Sequence, residues 1–131
     1  MSVNDKTTAQ KIKLLIVDDE EGFITVLSKR MRKRGILVTA VNSGTEAIQI
    51  LRKNDFHAAV LDLKMEDMNG IEVLKFFKKM VPDMPVIMLT GHGSVEAARE
   101  GLALGAADYL TKPCVLEELI AKIREVIGQK R

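Results

Sequence analysis

The chain has one cysteine, Cys114, in 131 residues, which excludes an intrachain disulfide and fits a reducing compartment. It contains no apolar run near the ~18 residues that a membrane-spanning helix needs, so a helical membrane protein is excluded. Charge of one sign is also missing. The 20 Lys and Arg stand against 18 Asp and Glu, and a net charge of +2 makes no compositional case for nucleic acid or an anionic membrane. Met1 to Gln10 lacks the apolar stretch of a signal peptide and reads as a polar, disordered tail, which makes the cytoplasm the expected location. Linkers, repeats and low-complexity tracts are lacking as well. Residues 12–128 read as one domain between tails at 1–11 and 129–131. His57, His92 and Cys114 have no zinc-ligand spacing.

What is present is the composition of an ordinary soluble domain, 47% hydrophobic and 29% charged. A domain of this length buries roughly two-thirds of its unfolded surface. Short apolar runs alternate five times with helical periodicity, the pattern of a parallel sheet covered by helices on both faces. Strands are expected near 13–17, 36–41, 57–61, 85–89 and 107–111. Between them, Phe23, Val26, Leu27 and Met31 form one helical stripe, Ala47, Ile48 and Leu51 a second, and Val73, Leu74 and Phe77 a third. Ser43 with Glu46 and Asn69 with Glu72 have capping-box spacing or its near variant. The fourth helix, with Ser94 as its cap, has little to bury beyond alanines and glycines. Leu116, Leu119, Ile120, Ile123 and Ile127 make the fifth, which Gly128 should stop. Five cations in Lys29–Arg34 read as a solvated helix end complementing the macrodipole, with a docking patch as the other reading.

The chemistry lies at the strand ends. The first strand runs into Asp18-Asp19-Glu20, the third into Asp62, the fourth into Thr90 and the fifth into Lys112-Pro113. Any one of these could be a turn or capping residue. Together they converge, because ligands in an open parallel sheet bind outside the carboxyl ends of its strands. Clustered carboxylates repel one another unless a hard cation joins them, and an all-oxygen set suits Mg²⁺. A carboxylate beside Mg²⁺, an amine and a hydroxyl is equipped to attack a phosphoryl group and hold the acyl phosphate formed. Lys112 would neutralise the equatorial oxygens and Thr90 would donate a hydrogen bond to one of them.

Four segments resemble the receiver domain of two-component response regulators over about residues 12–128. They are Val17-Asp18-Asp19-Glu20, Leu61-Asp62-Leu63-Lys64-Met65 with Gly70 beyond, Leu89-Thr90-Gly91-His92-Gly93, and Gly105 through Tyr109 to Lys112-Pro113. The resemblance implies an α/β, flavodoxin-like fold: a doubly wound five-stranded parallel sheet of order 2-1-3-4-5 with five helices. It also implies that Asp62 takes a phosphoryl group from a histidine of a sensor kinase or phosphotransfer protein. Asp19, Asp62 and the backbone carbonyl of Lys64 would ligate Mg²⁺, and Asp18 would act through a metal-bound water. Thr90 and Lys112 would contact the phosphoryl oxygens, Thr90 and Tyr109 would form the switch, and the bond before Pro113 would be cis. Lys64 and His92 would tune the lifetime of the phosphate.

In such a domain the changed surface of the fourth helix, fifth strand and fifth helix is presented to a partner or a second copy. Conventional enzymatic turnover is not expected, nor is membrane or direct nucleic-acid binding. The segment from Thr90 to Ser94 is similar to receivers of the nitrogen-regulation type, which precede an ATPase and a DNA-binding domain. Two departures stand out: Glu66 where the family usually has Pro, and Cys114 where a bulky apolar residue is common. The enzymatic alternative is a haloacid-dehalogenase-like Mg²⁺-dependent phosphatase, although that class has a second acid where this chain has Lys64.

Overall fold

Leu14, Leu15, Ile16 and Val17 are all fully buried, and a strand hides every side chain only when it has partners on both edges and helices on both faces. The computed structural model, which describes residues 11–91 and 95–128, has that arrangement. The strands are β1 (Lys13–Val17), β2 (Leu37–Val41), β3 (Ala58–Asp62), β4 (Val86–Thr90) and β5 (Asp108–Thr111). The helices are α1 (Glu21–Lys33), α2 (Gly44–Lys53), α3 (Gly70–Met80), α4 (Val95–Ala103) and α5 (Leu116–Gly128). The sheet is five-stranded and parallel in the order β2-β1-β3-β4-β5, as the resemblance implied. None of the described helices is long and apolar enough to cross a membrane.

Period-2 alternation sends successive strand residues to opposite faces. Leu15, Val17, Ala59, Leu61, Val86 and Met88 pack with α2 and α3 in one core, whose largest buried side chain is Phe77. Leu14, Ile16, Ala58, Val60, Ile87 and Leu89 pack with α1 and α5 in the other. Burying each such Leu, Ile, Val or Phe contributes about 1.5–3 kcal/mol. The two cores together fix the register of the central strands, because a one-residue slip would exchange their faces. The edge strands β2 and β5 are only partly buried.

Local signals set the helix starts. Ser43 Oγ accepts from the Glu46 N–H at 3.1 Å, and Asn69 Oδ1 from the Ile71 N–H at 2.8 Å. The stripe of α1 differs from the expected one. Val26 is 52% exposed, whereas Ile24, Leu27, Ser28 and Met31 are buried. At about 100° per residue those four share one face, Val26 lies on the opposite side, and Phe23 falls at the edge. In α4 only Ala98 and Gly101 are buried among the described residues, so the expected poor burial holds; Ser94 lies outside the described residues. The fifth helix includes Gly128 instead of stopping before it.

Candidate functional site

β1, β3 and β4 are adjacent or one strand apart, and their carboxyl ends bring residues far apart in sequence to one cleft. Asp62 is the last residue of β3 and Thr90 the last of β4, both buried. Asp18 follows β1 directly and is fully buried. Lys112 follows β5, where its N–H donates to the Thr90 carbonyl at 2.6 Å, and its peptide bond to Pro113 is cis. A cleft of about 430 Å³ opens here, lined by Asp19, Glu20, Asp62, Lys64, Met65, Glu66, Gly91 and Lys112.

The charges in this cleft are tightly coupled. Lys112 Nζ lies 2.6 Å from Glu20 Oε1, 2.7 Å from Asp18 Oδ2 and 3.6 Å from Asp62 Oδ2. Asp62 Oδ1 accepts from the Lys64 N–H at 3.1 Å, which leaves Oδ2 toward the amine. Burial pushes the Asp62 carboxyl up to about 6; the Asp18 charge adds to this, while the Lys64 N–H and the Lys112 charge oppose it. Burial alone would lower the Lys112 ammonium, but its contacts with Asp18 and Glu20 outweigh burial and hold it above the ordinary lysine range. The same contact with Lys112 lowers Glu20. Thr90 Oγ1 reaches only as far as the Leu110 carbonyl, a weak 3.5 Å contact.

The donor set fits a hard cation. Carboxylate oxygens of Asp18, Glu20 and Asp62 lie within 4.8 Å of one another, and oxygen-only clusters of this kind suit Mg²⁺. Asp18 Oδ2 is buried and meets Lys112 as a charge contact, yet accepts no aligned hydrogen bond, so it retains capacity to coordinate an ion. Asp19 is not in this tight group: its Oδ2 accepts from the Glu66 N–H at 3.0 Å.

Glu20 and Phe23, both in contact with Lys112, carried no site assignment from sequence. Glu20 was visible only as the third acid after β1, and nothing in the spacing shows that it reaches Lys112. Phe23 packs against the α1–α5 core, and its half-buried ring also lies beneath Lys112 Nζ, 4.6 Å from centroid to nitrogen. The loop after β3 is anchored by Asp67, whose carboxylate accepts from the N–H groups of Gly44 and Thr45 at 3.1 and 3.2 Å. Those bonds hold its carboxyl below the usual range, against a burial contribution of opposite sign. Gly70 closes the loop. A Cβ there would run into the Leu63 backbone, and its N–H donates to the Leu63 carbonyl at 3.1 Å. Cys114 packs half-buried against the α1–α5 core, and burial raises its thiol, which suits packing and not reactivity. His92 lies outside the described residues. Tyr109 is 40% exposed on β5.

Comparison with known proteins gives one answer. The family model described as the response regulator receiver domain matches residues 14–124. The transcriptional regulatory protein ZraR of Escherichia coli K12 is 37% identical over 92% of this chain, which covers 27% of ZraR. The photosynthetic apparatus regulatory protein RegA of Cereibacter sphaeroides is 38% identical over 81% of this chain and 58% of its own length. The chain thus spans between about a quarter and three-fifths of these two relatives. Among solved structures, a CheY-like receiver domain protein from Methanospirillum hungatei superposes with a TM-score of 0.88 at 30% identity, covering 92% of this chain and 97% of that one. The receiver domain of NtrX from Brucella abortus superposes at 0.83 with 25% identity over 88% of this chain and 98% of its own. With its strand order, its strand-end acids and the family match agreeing, the chain belongs to the response regulator receiver domains.

Proposed function

We propose that this domain is the phosphoacceptor switch of a cytoplasmic two-component phosphorelay, and that Asp62 takes the phosphoryl group. One observation carries the reading: a buried carboxylate at the end of β3 with one oxygen held by the Lys64 N–H and the other 3.6 Å from the Lys112 ammonium. At neutral pH a carboxyl titrating near 6 is anionic and nucleophilic. Asp62 Oδ2 attacks phosphorus, a P–O bond forms, and the P–N bond to a histidine of the donor breaks. The freed imidazole keeps the electron pair and takes up a proton. The donor is a sensor histidine kinase or a histidine phosphotransfer protein.

Lys112 neutralises charge on the transferred group, and Thr90, weakly held by Leu110, turns its hydroxyl to a phosphoryl oxygen. Asp18, Asp19, Asp62 and the Lys64 carbonyl would hold Mg²⁺, which would supply further neutralisation of the phosphoryl oxygens. Movement of Thr90 draws the exposed Tyr109 inward. That shift changes the α4–β5–α5 surface, where Val95, Leu102 and Tyr109 are exposed apolar groups, and presents it to a partner or a second copy. Lys64, exposed beside the cleft, and His92 set how long the acyl phosphate survives. Turnover beyond this self-phosphorylation and self-dephosphorylation is not part of the reading, and the haloacid-dehalogenase-like alternative finds no support in the comparisons.

The test uses acetyl phosphate with Mg²⁺. One acid-labile phosphate per chain is expected, absent from Asp62→Asn. A variant labelled to the wild-type extent would sink the assignment.

A further inference from the structure

Lys112 has more anionic partners than phosphoryl transfer requires. Its Nζ is 2.6 Å from Glu20 and 2.7 Å from Asp18, yet 3.6 Å from Asp62, the carboxylate it is to serve. Phe23 closes a further side of the ammonium at 4.6 Å. Asp18 is fully buried, whereas the Glu20 side chain is 63% exposed. An exposed carboxylate can be solvated without a lysine partner, so the 2.6 Å contact ties Glu20 to the cleft and Lys112 to Glu20.

We propose that Glu20 is a positioning residue that draws the Lys112 ammonium away from Asp62 and acts as a brake on phosphoryl acceptance. The proposal rests on Asp62 being the phosphoacceptor. An ammonium has three N–H donors, and with Asp18 and Glu20 at 2.7 and 2.6 Å the third is left for Asp62, whose oxygen is 3.6 Å away. For that donor to close on an oxygen of the Asp62 phosphoryl group the nitrogen must move toward it, which lengthens one of the two short contacts. Glu20 is the partner to leave, because its carboxylate is rehydrated on release, while Asp18 would be stranded as a buried charge. An ion pair with one exposed partner shifts an equilibrium by no more than about fivefold. The brake is therefore light.

Phosphorylation by acetyl phosphate at saturating Mg²⁺ tests this in the wild type, Glu20→Gln and Glu20→Asp. Both variants should lower the half-saturating donor concentration about threefold to fivefold. Aspartate is the decisive variant, since it keeps the charge but is one methylene too short for the contact. In the metal-free protein the Lys112 side-chain ammonium resonance should move in both variants. A Glu20→Asp protein indistinguishable from wild type beside an altered Glu20→Gln would show a general charge effect and overturn the proposal. A loss of Mg²⁺ affinity beyond about tenfold by calorimetry, with donor half-saturation unchanged, would make Glu20 a metal ligand and overturn it too. If wild type is labelled on Asp62 and both variants match it, only the role of Glu20 falls. If wild type takes no label, the phosphoacceptor reading falls first.

Discussion

The backbone N–H of Glu66 donates to Asp19 Oδ2 at 3.0 Å, across 47 residues of sequence. Proline has no N–H, so a chain with the usual family residue at this position could not make the bond. Here it tethers one acid of the pair to the loop after β3 and keeps it out of the cluster formed by Asp18, Glu20 and Asp62.

The tether can be removed without touching the acid. Glu66→Pro should release Asp19 toward the cation and raise Mg²⁺ affinity about threefold to fivefold, the worth of a charge-assisted bond near the surface. Glu66→Ala keeps the N–H and should match wild type. Calorimetric titration with Mg²⁺ decides, and equal affinities for the two variants would refute the tether.

Asp62 should cost the metal-free protein stability at neutral pH. Its carboxyl titrates near 6 in the fold against 3.8 ordinarily. Between those values the folded state binds a proton that the unfolded state lacks, so stability falls as pH rises from about 4 through 6 and stays low above. Roughly two pKa units at 1.36 kcal/mol each set an upper bound of about 3 kcal/mol. Asp62→Asn should remove this slope. With the weakened Lys112 contact set against it, urea unfolding in chelator at pH 7.5 should show a gain of about 1–2 kcal/mol. Added Mg²⁺ should stabilise wild type more than the variant.

Lys112→Ala should do the opposite. It leaves Asp18 buried and uncompensated, a loss of about 3 kcal/mol by the usual cost of breaking a buried pair. Saturating Mg²⁺ should restore much of it, because the ion supplies the missing positive charge. Thermal unfolding with and without Mg²⁺ reads both effects, and a variant as stable as wild type in chelator would show the pair to be unimportant.

Gly70→Ala should damage the site through the backbone. A Cβ at this position meets the Leu63 main chain, and Leu63 adjoins Asp62. Backbone cannot yield as a side chain does, so a loss of about 2–3 kcal/mol is expected. The phosphorylation rate should fall with it. Gly22→Ala, on α1 where a Cβ meets nothing nearby, is the control and should stabilise by up to about 1 kcal/mol with the phosphorylation rate unchanged.

Much of the fold was legible along the chain. The apolar runs at β1, β3 and β4 are buried on every position but Lys13, and such runs bounded by helical periodicity permit few arrangements. The caps at Ser43 and Asn69 are local and came through as read. Val26 did not, because a four-residue stripe on α1 can be drawn through either Ile24 or Val26 until the sheet is in place to choose. The site was legible as a set of residue types at strand ends. Its contacts were not.

By itself, the sequence determined which chemical groups reach the cleft. The carboxyl ends of parallel strands all lie on one side of the sheet, so Asp18, Asp62, Thr90 and Lys112, each at or just after a strand end, had to emerge together. Only the tertiary structure decided how those groups pair: Lys112 with Glu20 and Asp18 more closely than with Asp62, and Asp19 with the Glu66 N–H. The choice at Lys112 is a competition among oxygens 2.6, 2.7 and 3.6 Å from one nitrogen, contributed by segments 44 to 94 residues distant in the chain. Desolvation and direction settle such competitions, and neither exists until the strands and loops are assembled.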